Sequence, residues 1–324
     1  MSVDAAHCSA GIVPRRSDLA LDAGRLSYLE WGDRGAPILL LHGITSSARG
    51  WWRVAPALVA EGYHVYAVDM PGHGQSSLAD AHHIDRIAAV VAHMLGLAPL
   101  AGATVIGHSW GGAVAIALAT PAGDRPQPQR VALIDPLLAM DPARGQALLP
   151  RYLEGLGRPP TETLPIVRAA NPDWHPCDCF WKSEALQQCR PEAVRGLFTG
   201  SGAWDLTTRL ARIGIPLLVL LADPHHTIIA PATRHAMTQA LRGNSGCLAT
   251  IPGSTHNIFR DRFDAFMHVL RAWLQGRADL VLYCARTPPC TRCGRARRCS
   301  PRRRHRSAPP YRQRRRQGRS VGCL

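Results

Sequence analysis

The 324-residue chain contains a single lysine, Lys182, although arginine is abundant. Acidic residues are nearly absent from residues 277–324, which hold fifteen arginines and one acid, Asp279. That stretch carries almost all of the net charge of +15, and residues 1–276 are close to neutral. Because Tyr311 is the only aromatic residue among the arginine runs at 302–306 and 312–319, we expect no specific nucleic-acid partner.

Long hydrophobic runs are also missing. The apolar stretch at 215–222 is too short to span a bilayer, and the stretch at 104–119 is interrupted by Gly107, His108 and Ser109. No positively charged start followed by an apolar run predicts a secretory signal. We therefore expect a cytoplasmic protein without a membrane span, whose ten cysteines are free thiols.

Apolar strand patterns alternate with helical patterns along most of the chain, which favours a mainly parallel sheet covered on both faces. This alternation stops in residues 136–212, a proline-rich stretch with Trp174, Trp181 and Trp204. An insertion of this length between two strands is typical of a functional lid. We expect the three tryptophans to pack in the lid core more readily than to line a pocket.

Residues 107–111 read Gly-His-Ser-Trp-Gly and stand between a strand pattern and a helix of small residues. A serine at such a tight strand-to-helix turn has a strained backbone, and its hydroxyl is presented at the helix N-terminus. Glycines on both sides avoid a Cβ that would strike the neighbouring elements. Ser109 is therefore the predicted nucleophile.

A nucleophilic serine needs a base and an acid that orients the base. His256 follows the last predicted strand and is the predicted base. Asp223, at the end of the strand at 216–222, is the preferred acid, and Asp135, at the end of the strand at 130–134, is the alternative. All three residues are expected at the carboxyl edge of the sheet, where the serine also lies.

An acyl-transfer site also needs two N–H donors that hold the oxyanion. The residue after the nucleophile, Trp110, supplies one of them, and Ile44, in the loop after an early strand, is placed to supply the other. Three other histidines are expected to tie loops together by hydrogen bonds: His42, His73 and His108.

Together these motifs resemble the α/β-hydrolase fold family. Four segments carry the resemblance: Leu-His-Gly-Ile at 41–44, Asp-Met-Pro-Gly-His-Gly-Gln-Ser at 69–76, Gly-His-Ser-Trp-Gly-Gly at 107–112, and Pro-Gly-Ser-Thr-His at 252–256. The resemblance covers about residues 18–275 and implies an eight-stranded, mainly parallel sheet flanked by helices, with a helical cap after the sixth strand. The expected organisation is an N-terminal extension (1–17), a core (18–135 and 213–275), the cap (136–212) and a basic, disordered tail (276–324).

The resemblance also bears on activity. Family members that open epoxides or remove halides use an aspartate at the elbow, whereas serine implies attack on a carbonyl. We expect a serine hydrolase that cleaves an ester, thioester or lactone through an acyl-enzyme on Ser109. Alternatives are C–C bond hydrolysis, aminopeptidase or perhydrolase chemistry with the same triad, and a non-catalytic ligand-binding protein. The expected partner is a small, partly apolar substrate; no cofactor or metal is expected, and the oligomeric state is left open.

Overall fold

The computed structural model describes residues 8–9, 11–78, 82–242 and 246–276. The strands in chain order are β1 (Arg15–Leu21), β2 (Gly24–Trp31), β3 (Pro37–Leu41), β4 (His64–Val68), β5 (Thr104–His108), β6 (Arg130–Ile134), β7 (Ala139–Met140), β8 (Trp204–Asp205), β9 (Leu217–Leu221) and β10 (Cys247–Thr250). The α-helices are α1 (Val54–Ala60), α2 (Ile84–Leu95), α3 (Trp110–Ala119), α4 (Pro142–Leu153), α5 (Pro160–Ala170), α6 (Pro176–Gln188), α7 (Pro191–Arg195), α8 (Pro231–Arg242), α9 (Ile258–Asp261) and α10 (Phe263–Leu274).

Eight strands form one sheet in the order β1-β2-β4-β3-β5-β6-β9-β10. The pairs β1–β2 and β2–β4 are antiparallel, and the other pairs are parallel. This confirms the predicted α/β-hydrolase fold. Strand β1 was not predicted, because it lies at the sheet edge with mostly exposed or half-buried residues and lacks a continuous apolar run.

The core lies on both faces of the sheet, because successive side chains of a strand point to opposite sides. In β3, Leu39 and Leu41 belong to one apolar cluster, and Ile38 and Leu40 belong to the other. Helices α2 and α3 cover the first face, and α1 and α10 cover the second. All ten residues of α3 are buried, so this helix holds the turn at its N-terminus rigidly against the sheet.

The predicted cap segment, residues 136–212, contains α4 to α7 and the short strands β7 and β8. Strands β7 and β8 pair antiparallel near the two ends of the segment. The segment contacts the core through side chains: the indole of Trp52 donates to Asp178 of α6 at 2.9 Å, and the indole of Trp174 donates to Asp261 of α9 at 2.7 Å.

The expectation that all thiols are free is wrong for Cys8 and Cys177, which form a disulfide bond. The bond ties the chain near its start to the first turn of α6, and the Trp181 indole donates to the Cys8 carbonyl at 3.0 Å. Cysteine counting could not reveal this pair, because the two residues are 169 positions apart. The predicted cytoplasmic location loses the support that it drew from free thiols.

No helix in the described part of the chain is both long and apolar enough to cross a membrane. The basic tail from residue 277 onward, for which disorder was predicted, lies outside the described residues.

Candidate active site

Ser109 occupies the sharp turn between β5 and α3. Its backbone has φ 54° and ψ −117°, a left-handed conformation that costs a non-glycine residue energy. A Cβ on Gly107 would lie 2.3 Å from the Gly111 carbonyl oxygen, and a Cβ on Gly111 would lie 2.4 Å from the Leu41 carbonyl oxygen. The two glycines therefore let strand, turn and helix approach closely, as the motif predicted.

The predicted oxyanion donors lie on two adjoining backbone segments. A Cβ on Gly43 would be 3.1 Å from Ser109 Cβ, so the loop after β3 packs directly on the nucleophile turn. Trp110 is the first residue of α3, and Ile44 lies in the loop. In the described part of the chain, neither backbone N–H has a protein acceptor. Both donors are thus available to a substrate oxygen.

Buried neutral histidines hold this loop, as predicted. His42 accepts a hydrogen bond from Met70 N at 2.9 Å and donates through Nδ1 to the Gly43 carbonyl at 2.8 Å. His73 accepts one from Thr45 N at 3.2 Å. Burial lowers the pKa of His42 to about 4 and that of His73 to about 3, so both rings stay neutral and can accept these bonds.

His256 lies beside Asp135 at the carboxyl edge of the sheet. Its Nδ1 is 2.7 Å from Asp135 Oδ2, and its carbonyl accepts a hydrogen bond from His108 Nε2 at 2.9 Å. The fully buried Asp135 carboxylate also accepts from Thr227 Oγ1 at 2.5 Å and from the Ala222 N–H at 3.2 Å. These contacts fix the imidazole and leave its Nε2 for a proton transfer.

The preference for Asp223 as the partner of His256 is wrong. The Asp223 carboxylate accepts hydrogen bonds from Gly253 N at 3.0 Å and His225 N at 3.1 Å, and these donors lower its pKa. Asp223 thus holds together the turns after β9 and β10. Ser109 N donates to the Ile134 carbonyl. Asp135 is the next residue and therefore lies directly beside the nucleophile turn.

Ser109 and His256 line a common cavity of about 600 Å³. Within the described residues, no hydrogen bond joins the Ser109 hydroxyl to His256. Such bonds are often long in enzymes without substrate and tighten in the substrate complex. Of the three tryptophans of the predicted cap segment, Trp174 lines the cavity, whereas Trp181 and Trp204 are buried in apolar clusters.

Sequence reasoning missed several cavity residues, among them the cations Lys182 of α6 and Arg260 of α9. Lys182 Nζ donates to the carbonyl and to the hydroxyl of Thr45, both at 2.7 Å. Arg260 is buried, and its guanidinium lies 4.5 Å from the centre of the Trp174 ring. The lysine had one available signal, since it is the single lysine of an arginine-rich chain.

Comparison with known proteins supports the fold assignment at the sequence level. The model of the alpha/beta hydrolase family matches residues 38–269. A dihydrolipoyllysine-residue acetyltransferase component of the acetoin cleaving system from Cupriavidus necator is 36% identical over 258 residues, which are 74% of this chain and 62% of that protein. Lipase LipV from Mycobacterium tuberculosis is 37% identical over 120 residues, 37% of this chain and 44% of the lipase. The chain thus spans less than two thirds of these relatives.

Solved structures agree in fold. An E-2-(acetamidomethylene)succinate hydrolase superposes with a TM-score of 0.69 at 18% identity, over 82% of this chain and 99% of the other. The enol-lactonase from Burkholderia xenovorans superposes with a TM-score of 0.65 at 22% identity, over 80% of this chain and 100% of the other. With the family model matching most of the chain and these neighbours sharing its sheet, the chain belongs to the alpha/beta hydrolase family.

Proposed function

We propose that this protein is a serine hydrolase that cleaves an ester-like carbonyl compound (an ester, thioester or lactone) through an acyl-enzyme on Ser109. The observation that carries the proposal is the 2.7 Å contact between His256 Nδ1 and the buried Asp135 carboxylate, at the edge of the cavity that Ser109 lines. A histidine held in this way has the tautomer that a general base for serine needs.

In this mechanism His256 Nε2 takes the proton of the Ser109 hydroxyl while the oxygen attacks the substrate carbonyl carbon. The N–H groups of Ile44 and Trp110 hold the oxyanion of the tetrahedral intermediate. His256 then gives the proton to the leaving group, the C–O or C–S bond breaks, and the acyl group stays on Ser109. A water molecule, deprotonated by His256, releases the acid. Each oxyanion donor typically accounts for about 10²–10³ in rate.

Three features favour this proposal over the alternatives. Serine at position 109 attacks carbonyls, whereas aspartate is the elbow nucleophile that opens epoxides, so the partial similarity to an epoxide hydrolase does not transfer its reaction. Ser109 has a strained backbone, and such strain is typical of functional sites. The two available N–H groups belong to backbone segments that pack against each other at Ser109, and an oxyanion site requires two such neighbouring donors.

The test is labelling with a fluorophosphonate probe together with hydrolysis of p-nitrophenyl acetate. The wild-type protein should be labelled on Ser109 and should turn the ester over, and Ser109→Ala should lose both by at least 10³-fold while its circular dichroism is unchanged. Ester hydrolysis that persists in Ser109→Ala at the wild-type rate would remove the basis of the proposal. A wild-type protein that is neither labelled nor active would instead support a ligand-binding role.

A further inference from the structure

The cavity beside Ser109 is strongly positive for an enzyme that acts on uncharged esters. Four cations and one carboxylate line it, and three histidines complete its ionisable groups: Arg151, Arg158, Lys182, Arg260, Glu154, His108, His226 and His256. Arg151, Arg158 and Glu154 are exposed, whereas Lys182 is half-buried and Arg260 is buried. The two less exposed cations are therefore the ones that need an explanation, because an enclosed cation is costly without a partner.

Lys182 has hydrogen-bonding capacity to spare. Its ammonium has three donors, and Thr45 accepts two hydrogen bonds from it, one on the carbonyl and one on the hydroxyl. Within the described part of the chain no carboxylate forms an ion pair with it. Burial and the neighbouring Arg260 lower the pKa of Lys182 to about 7.

Arg260 lies over the Trp174 ring but has few hydrogen-bond acceptors among the described residues. Its Nη2 donates to Ser46 Oγ at 3.3 Å, its Nε has no hydrogen-bond acceptor among the described residues, and the nearest carboxylate oxygen, on Asp178, is 4.0 Å away. Burial raises the pKa of Asp178. The carboxylate of Asp261 is engaged by Thr255 and by the Trp174 indole.

We propose that Lys182 and Arg260 form an anion subsite of this cavity, and that the substrate is a short acyl compound that carries a carboxylate. This inference rests on the serine hydrolase function proposed above. The subsite lies close to the reacting carbonyl. Thr45, which Lys182 contacts, directly follows Ile44 in the chain. The Cα atoms of successive residues are about 3.8 Å apart. A carboxylate separated from the scissile carbonyl by one to three methylene groups would span this distance.

The anion would take the third N–H of Lys182 and a free N–H of Arg260, and it would reduce the repulsion between the two cations. Hydrogen bonds to charged groups are typically worth enough to change binding by roughly tenfold to hundredfold. Lys182 and Arg260 are therefore assigned as specificity-determining residues, and Ser109, His256 and Asp135 keep the chemistry.

The experiment compares pairs of esters that differ in charge and little in shape. The charged substrates are the monomethyl esters of malonic, succinic and glutaric acid. Each is paired with the methyl ester of the corresponding half-amide. For at least one chain length, the wild-type kcat/KM should be roughly 10- to 100-fold higher for the carboxylate than for the amide. Equal values for all three pairs, or a preference for the amides, would overturn the subsite.

Two variants separate recognition from a structural role. Lys182→Met should reduce the carboxylate-to-amide ratio about tenfold or more. If Lys182 served only to hold the loop at Thr45, the variant would slow both esters equally and leave the ratio unchanged, which would contradict the proposal. Arg195→Met is the matched control, because it removes an exposed cation of α7 that does not line the cavity; its ratio should equal that of the wild type.

A binding measurement keeps this inference distinct from the proposed reaction. Calorimetry with Ser109→Ala should show succinate or glutarate binding that weakens by about tenfold when Lys182→Met is added. If the wild type hydrolyses no ester and is not labelled by the fluorophosphonate, the reaction fails while this result still supports the anion subsite. Hydrolysis without any dependence of dicarboxylate binding on Lys182 would leave the reaction standing and overturn the subsite.

Discussion

The two sides of the cavity are built differently. On the core side, loops at the carboxyl edge of the sheet are held by bonds to buried groups, such as Met70 N to His42 and Thr45 N to His73. On the other side, α6 of the predicted cap segment contacts the core through polar side chains, such as the Lys182 ammonium on Thr45 and Asp178, which accepts from the Trp52 indole. The core side thus positions the residues proposed for the reaction, whereas the proposed anion subsite combines Lys182 of α6 with Arg260 of α9.

On the core side, we expect the largest loss of activity from a substitution of Asp135. Asp135→Asn places an amide opposite His256 Nδ1, so the ring is held in the wrong tautomer and cannot take the serine proton. We expect kcat for p-nitrophenyl acetate to fall by roughly 10³–10⁴-fold, with a melting temperature that shows a folded protein.

Asp223→Asn is the matched control for this variant. Among the described residues, its carboxylate accepts only backbone N–H bonds of the surrounding turns, so its replacement should change kcat by no more than about threefold. A larger loss of kcat in Asp223→Asn than in Asp135→Asn would reverse the assignment of the acid.

The attachment of the predicted cap segment can be weakened at the disulfide between Cys8 and Cys177. The bond joins residues 169 positions apart, and a cross-link of such a long loop typically stabilises a protein by about 2–4 kcal/mol. The double variant Cys8→Ser/Cys177→Ser should melt roughly 4–12 °C lower in a thermal scan.

The same variant tests how independent the two sides of the cavity are. Its kcat for p-nitrophenyl acetate at 25 °C should stay close to that of the wild type, because neither cysteine lines the cavity. The single variant Cys179→Ala, which removes a buried thiol outside the disulfide, is the control for the loss of a cysteine in α6. An unchanged melting temperature in the double variant would show that the bond does not stabilise the folded state.

The core could be predicted from the sequence because the residues that determine each turn or element are close together in the chain. The glycines around Ser109, the strand-end histidine and the buried apolar runs each predict one turn or element, and the structure has them where they were predicted. The local sequence does not show which of Asp135 and Asp223 contacts His256. Both aspartates follow an apolar strand and precede a proline. Which of them meets His256 depends on how the loop that carries His256 returns across β9 towards β6.

The two residues of the proposed anion subsite could not be predicted in this way. Lys182 lies between Trp181 and Ser183 with no motif around it, and Arg260 is one of many arginines. Their shared cavity arises only when α6 packs over the loop that contains Thr45. A residue that acts through a contact between distant segments leaves no pattern at its own position, whereas a strained turn does.

The smallest expected effect is a dependence of the carboxylate-to-amide ratio on pH. Several ionisable groups face Lys182 or line its cavity: Arg260, Cys189, His42, His73, Arg151, Arg158, Glu154, His108, His226 and His256. Because burial lowers the pKa of Lys182 to about 7, its charge is present below that pH and is lost as the pH rises. Arg260 keeps its charge throughout, since guanidinium groups are not deprotonated in proteins.

The ratio of kcat/KM for the carboxylate ester to that for its amide partner should therefore be highest below pH 7 and should fall severalfold between pH 6 and about pH 8.5. Both substrates use the same base, so the titration of His256 cancels in the ratio, and kcat/KM reports the ionisation of the free enzyme. In Lys182→Met the remaining ratio should not vary with pH. A wild-type ratio that is constant over this range, or that rises with pH, would show that the charge of Lys182 does not contribute to recognition of the substrate.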